Sequence, residues 1–273
     1  DVVQRVLTKN NVEIADIDDR RTHISLNFKP VTEDYWKDQG VVWPEGHPAE
    51  GEDIILRDYQ VEAINTFLDN PQSLQQIATG AGKTITTATL SHITEPYGRS
   101  LVIVPNKSLV EQTEEDYINC GLDVGVYFGD RKMLGKTHTI CTWQSLNILD
   151  KKNKDGSAVL SLAEFLDGVS TVIVDEVHMA KAEVLKNLLT RNLKNAPIRW
   201  GLTGTVPREK FEFESIHASL GPVVGSITAK SLQDQGVLSQ CHVNVVQLID
   251  VVAHSDYQGE LKYLTSDPAR LEY

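Results

Sequence analysis

The stretch Ile77-Ala78-Thr79-Gly80-Ala81-Gly82-Lys83-Thr84 constrains this chain more than any other. It closes the apolar run SLQQIA (73–78) and opens the helical pattern TITTATLSHI (84–93). A strand, a glycine turn, Lys-Thr and a helix in that order are the setting of a phosphate-binding loop. Gly80 and Gly82 let backbone N–H groups turn toward an anion, and the helix N-terminus adds its dipole. Lys83 is expected to neutralise β/γ-phosphate charge, and the Thr84 hydroxyl to ligate Mg²⁺. The general pattern G-x-x-x-x-G-K-[ST] asks for glycine at position 77, where this chain has isoleucine. The plain alternative is a glycine turn with a solvated lysine after it.

The surrounding pattern favours an α/β fold. The runs SLQQIA (73–78), SLVIVP (100–105), VGVYF (124–128), HTICTW (138–143), TVIVDE (171–176) and RWGLTG (199–204) read as strands. Between them lie amphipathic stretches such as 107–120 and 181–193. Short apolar strands alternating with helices predict a parallel sheet covered on both faces, with ligands at the C-terminal strand ends. Residues 1–52 read as a small α+β accessory region and linker, with strand-like runs VEIADI (12–17) and THISLNF (22–28). KKNKDGS (151–157) reads as a surface loop, HVNVVQLIDVV (242–252) as a further strand, and residues 253–273 as the start of a linker.

Charge and cysteine usage narrow the setting. The net charge is −12, and residues 1–58 carry 13 acidic and 7 basic side chains, so half the excess lies ahead of the phosphate loop. A nucleic-acid binder is ordinarily basic, so any such binding must rest on backbone N–H groups, helix N-termini and a local basic rim. Cys120, Cys141 and Cys241 are odd in number and far apart, which argues for a reducing, cytoplasmic setting. No stretch approaches the ~18 apolar residues of a membrane helix, and no membrane partner is expected.

VIVDEVH (172–178) ends a strand in two adjacent carboxylates, Asp175 and Glu176. Alone, such a pair reads as a solvated strand end or a helix cap. It stands 92 residues after Lys83 (175 − 83) in the same alternating pattern, which makes it a second nucleotide motif. Asp175 can then hold Mg²⁺, and Glu176 can orient and deprotonate an attacking water. His178 has no CxxC or HxxxH partner nearby and reads as a polar link rather than a metal ligand.

Asp175-Glu176-Val177-His178 resembles a DExH box, and the chain resembles the first motor domain of superfamily 2 helicases and translocases, most of all the phage UvsW type of recombination and repair helicase. The other motifs follow in that family's order. LRDYQ (56–60) resembles the Q motif, which implies that Arg57 and Gln60 contact the nucleotide and that Gln60 reads the adenine edge. Thr79, Gly80, Ala81, Gly82, Lys83 and Thr84 would cradle the phosphates; members of the family often carry a bulky residue where Ile77 stands. IVPNKSLVEQ (103–112) resembles motif Ia and CTWQSL (141–146) motif Ib/Ic, so Pro105, Asn106, Lys107, Thr142 and Gln144 would face nucleic acid. Asn106 and Lys107 also read as a helix cap after Pro105. GLTGT (201–205) resembles motif III, where Thr203, Gly204 and Thr205, with His178 and Arg208, would couple nucleotide state to domain closure.

The resemblance implies a RecA-like motor domain over residues 53–252, ATP and Mg²⁺ as nucleotide and metal, and single-stranded or branched DNA as partner, with RNA left open. It also implies that the chain is an N-terminal fragment whose second motor domain, the source of arginine fingers, lies elsewhere. Two other readings stay open: a nucleic-acid binding module with vestigial motor motifs, opposed by intact Lys83, Asp175 and Glu176, and a P-loop kinase or transport ATPase, opposed by the DExH box and the T-G-T segment. Trp143 reads as core before base-stacking platform, Trp36 and Trp43 as packing residues, and Lys151, Lys152 and Lys154 as solvated.

Overall fold

The computed structural model describes residues 2–16, 25–179, 186–207, 209–240, 243, 256–266 and 268. Contacts divide the chain into two compact units, Asp1–Leu238 and Ser239–Tyr273. The first contains an eight-stranded sheet. Its strands are β1 (Gln72–Ile77), β2 (Arg99–Val104), β3 (Val124–Phe128), β4 (Arg131–Lys132), β5 (His138–Thr142), β6 (Val169–Val174), β7 (Ile198–Thr203) and β8 (Val223–Ile227). The order is β4-β3-β5-β2-β6-β7-β1-β8. All pairings are parallel except β3 with the two-residue β4.

Side-chain alternation sends successive strand residues to opposite faces, and helices cover both. On one face Val102, Val104, Ile140, Ile173 and Trp200 pack with residues of α3 (Asp58–Asp69), α4 (Lys83–Thr94) and α5 (Lys107–Asn119). On the other face Leu101, Ile103, Cys141, Val172 and Val174 pack with α6 (Trp143–Asp155), α7 (Leu162–Phe165), the π-helical turn Leu188–Asn192 and α8 (Lys210–Leu220). Two neighbouring strand residues thus belong to two different cores, which is why the strands read as continuous apolar runs. The six strand runs expected from the sequence all form, each within two residues of its expected limits. β8 was not anticipated: VVGSI is short, glycine-containing and half-exposed.

The N-terminal region is built differently from its expectation. It holds α1 (Val2–Lys9) and the short α2 (Tyr35–Asp38). Residues 12–16 and 25–28 form no strand, because alternation alone makes none without a partner ladder for the N–H and C=O groups. Trp36 is buried in the first core beside Val31, Ile54 and Phe67. Its Nε1 donates to Thr89 Oγ1 at 2.9 Å, and its ring stacks on His92 at 5.2 Å.

KKNKDGS is not a loop. Residues 151–155 are the last turns of α6, which stops at Gly156 in the left-handed region (φ +77°). Lysines near a helix C-terminus suit its dipole, so the charge run that looked like a loop extends the helix. The expected helix 181–193 is described only from residue 186, and the expected strand 242–252 lies outside the described residues apart from Val243. In the second unit, residues Tyr257–Ser266 form a helix. Cys120 and Cys141 are buried free thiols. Among the described residues no helix is long and apolar enough to cross a membrane.

Candidate nucleotide site and strand-end surface

Three neighbouring strand ends build the first cluster: β1 supplies the glycine turn, β7 lies beside it, and β6 lies next to β7. Gly80 (φ +82°) and Gly82 (φ +77°) both take the left-handed conformation that favours glycine. A Cβ on Gly82 would fall 2.4 Å from Gln60 Nε2, so that amide would have to move. Thr79 is exposed and Ala81 buried. Lys83 begins α4, and its ammonium reaches across the sheet edge to Glu176 Oε1 at 2.5 Å, with side chains 9% and 16% exposed. An ion pair this enclosed is set by its geometry and little screened.

Glu176 holds a left-handed backbone (φ +48°), which costs a non-glycine residue roughly 1–2 kcal/mol. That turn aims its carboxylate back at the phosphate loop. Its N–H donates to Asp175 Oδ1 at 2.8 Å, and its Oε2 accepts from Gly204 N at 3.3 Å. Burial, with Glu176 alongside, pushes the Asp175 carboxyl up to about 6, against the pull of Lys83. Burial, with Glu115 alongside, raises the Asp116 carboxyl of α5, and Thr84, at the second position of α4, pulls it the other way.

A polar chain continues from here. Thr203 Oγ1 donates to Thr205 O at 2.7 Å, so toward His178 Nδ1, 2.7 Å away, it accepts. The proton of a neutral His178 therefore sits on Nδ1. Glu176, Gly204, Thr203, His178 and Thr205 form one connected network. Arg208 lies outside the described residues. Gln60 has both ends of its amide engaged within the chain: Nε2 donates to Ala81 O at 3.0 Å and Oε1 accepts from Arg57 N at 2.9 Å. As placed, it ties the start of α3 to the phosphate loop, while the exposed Arg57 donates to Tyr59 Oη at 2.9 Å.

The second cluster stands at the ends of β2 and β5, which pair with Val104 opposite Thr142. Gln144 Nε2 donates to Pro105 O at 3.0 Å, joining the two loops. Asn106 caps α5 by accepting from Leu109 N at 3.0 Å, and Thr142 caps α6 by accepting from Ser145 N at 3.2 Å. Lys107 is 71% exposed, 3.6 Å from Glu111 Oε1. β2 lies between β5 and β6, and Asp175 N donates to Ile103 O, so the two clusters share one continuous sheet edge.

Two residues near the phosphate loop carried no sequence signal. Leu238 lies over it: a Cβ on Gly80 would come within 2.9 Å of its Cδ2. Asp116 sits on a helix with an ordinary amphipathic pattern. Both are brought in by tertiary packing alone.

A parallel sheet with a glycine loop after β1 and paired carboxylates after β6 has the arrangement of a RecA-like P-loop domain. Residues 53–208 match the family model for the type III restriction enzyme, res subunit, and the chain belongs to that family. Among curated relatives, the ATP-dependent DNA helicase uvsW of Enterobacteria phage T4 is 22% identical over 76% of this chain and 42% of its own length. The DNA 3'-5' helicase XPB of Mycobacterium tuberculosis is 26% identical over 84% of this chain and 40% of its own length. The chain thus spans about two fifths of these relatives. Among solved structures, the UvsW helicase from bacteriophage T4 superposes with a TM-score of 0.60 at 14% identity, covering 82% of this chain and 76% of that one. The Pyrococcus furiosus Hef helicase domain gives 0.51 at 18% identity, covering 66% and 40%. These likenesses show the fold.

Proposed function

We propose that this chain is the ATP-binding first motor domain of a DNA helicase or translocase of the recombination and repair type, acting with a second motor domain. The observation that carries this reading is the 2.5 Å contact between Lys83 and Glu176, which brings the phosphate-loop lysine and the candidate base to one point on the sheet edge. DNA, rather than RNA, follows the names of the relatives. In this reading residues 1–52 are an accessory region, and residues 253–273 lead toward the second motor domain.

Gly80 and Gly82 turn backbone N–H groups toward the phosphates, and Lys83 offsets their charge. Thr84 and Asp175 would hold Mg²⁺; among the described residues no cluster of three or more metal-ligating side chains occurs, which suits an ion that keeps waters and phosphates as ligands. Bound Mg²⁺ supplies charge stabilisation at the phosphoryl oxygens. Glu176 orients the attacking water and takes its proton, which requires it to leave Lys83. Since Glu176 also holds Gly204 N, its movement is felt by Thr203, Thr205 and His178. Pro105, Asn106, Lys107, Thr142 and Gln144 offer backbone, cap and lysine donors to a nucleic-acid strand along the same edge.

The test is nucleotide binding and ATP hydrolysis, each with and without single-stranded and forked DNA, for the unaltered chain, Lys83→Ala and Glu176→Gln. DNA-stimulated turnover abolished by either substitution is the expected result. Absence of nucleotide binding in the unaltered chain would sink the reading.

A further inference from the structure

One face of α6 is not used by the clusters above. Trp143, Asn147, Asp150, Lys151 and Lys154 recur at three- and four-residue steps, so they share that face. With Arg191 of the turn Leu188–Asn192 they line a groove of about 160 Å³. Among the described residues three cations stand there against one carboxylate, Asp150, which pairs with Lys154 at 2.5 Å. In a chain of net charge −12 this is a local reversal of sign. The Trp143 indole Nε1–H is buried with no acceptor among the described residues. A buried donor without an acceptor is costly, and this one lies on a residue that lines the groove.

Position gives the groove its direction. Trp143 is the first residue of α6 and follows Thr142 at the end of β5, so the groove begins where the strand-end surface stops. Eleven residues separate Trp143 from Lys154, about 16 Å at 1.5 Å per residue. A duplex strand carries one phosphate per ~3.4 Å of axis, so this length faces several consecutive phosphates. We propose that the groove is a second binding surface for nucleic-acid backbone, receiving the strand or duplex arm that continues past Thr142 and Gln144. Lys151 and Arg191, both exposed, supply the charge. The proposal rests on the motor-domain reading and adds a contact outside the sheet edge.

The test uses the full chain and fluorescent forked DNA, titrated at several salt concentrations. Lys151→Gln combined with Arg191→Gln should weaken binding about fivefold to tenfold near 100 mM salt. It should also lower the slope of log affinity against log salt by about 1–2. Melting temperature and affinity for a fluorescent ATP analogue should match the unaltered chain. The charge-keeping pair Lys151→Arg and Arg191→Lys should restore DNA binding and slope. Unchanged affinity and slope in the glutamine pair would overturn the groove alone, leaving the motor reading in place. Failure of the charge-keeping pair to restore binding would also overturn it. An unaltered chain that binds no nucleic acid would overturn both.

Discussion

Glu176 is held in a strained backbone conformation, and its carboxylate is shared between Lys83 and Gly204. In the proposed reading Glu176 takes a proton from water and Lys83 receives phosphate, so nucleotide binding would exchange the partners of both groups. Glu176→Gln should keep or tighten nucleotide binding, because it frees Lys83, while lowering turnover ~10²–10⁴-fold. Lys83→Ala should lose binding itself. Equilibrium titration beside steady-state hydrolysis separates the two, and a glutamine variant that binds more weakly would contradict the exchange. Gly82→Ala places a methyl group on the Gln60 amide at a left-handed position. It should weaken nucleotide binding more than it lowers the melting temperature; the reverse order would make this contact structural only.

At the scale of elements, polar groups at the N-terminal strand ends hold the helices in register. Arg199, on β7, donates to the carbonyls of Leu193, Lys194, Ala196 and Ser219. Arg199→Met would leave buried carbonyls unpaired and should cost about 2–4 kcal/mol in denaturant unfolding; a change within ~0.5 kcal/mol would mean the carbonyls find other donors. His138 lies at the start of β5, between Ser100 Oγ at 2.6 Å and Glu95 Oε1 at 2.8 Å. Burial holds it below its usual 6.5, with Glu95 pulling the other way. In the window just below 6.5 the unfolded chain binds more protons than the folded one, so stability falls as pH drops through it. Melting temperatures at pH 7.5 and 5.5 should fall further for the unaltered chain than for His138→Gln, and equal falls would exclude His138 as the cause.

For the whole molecule, the nucleotide cluster and the strand-end surface lie on one sheet edge, and both belong to a chain spanning about two fifths of its relatives' length. If a second motor domain supplies arginines to the transition state, these 273 residues alone should bind ATP and hydrolyse it slowly, since such arginines are worth ~10³–10⁵ in rate. Turnover equal to that of a complete two-domain helicase under the same conditions would refute this. Self-association would be the first thing to measure alongside it.

The phosphate loop, the DExH pair and the six apolar strand runs were readable in the sequence because each is a local pattern. A glycine turn between strand and helix, or a strand ending in carboxylates, needs no distant residue to be recognised. The two-faced sheet was equally readable, since a strand buried on both sides has no polar alternation. Other features depended on contacts between distant positions. Lys83 meets Glu176 across 93 positions, and Gln144 meets Pro105 across 39. Leu238 covers Gly80, and Trp36 enters the motor core from a segment that reads as separate. The strands expected at 12–17 and 22–28 do not form over their described parts, 12–16 and 25–28, for the same reason: a ladder needs a partner, and the fold offers none there among the described residues. Sequence by itself determined which residues are candidates for handling phosphate, because that chemistry is carried by residue type and short spacing. Only the tertiary structure decided which of them touch, because strand order places the ends of β1, β7 and β6 side by side although they are far apart along the chain.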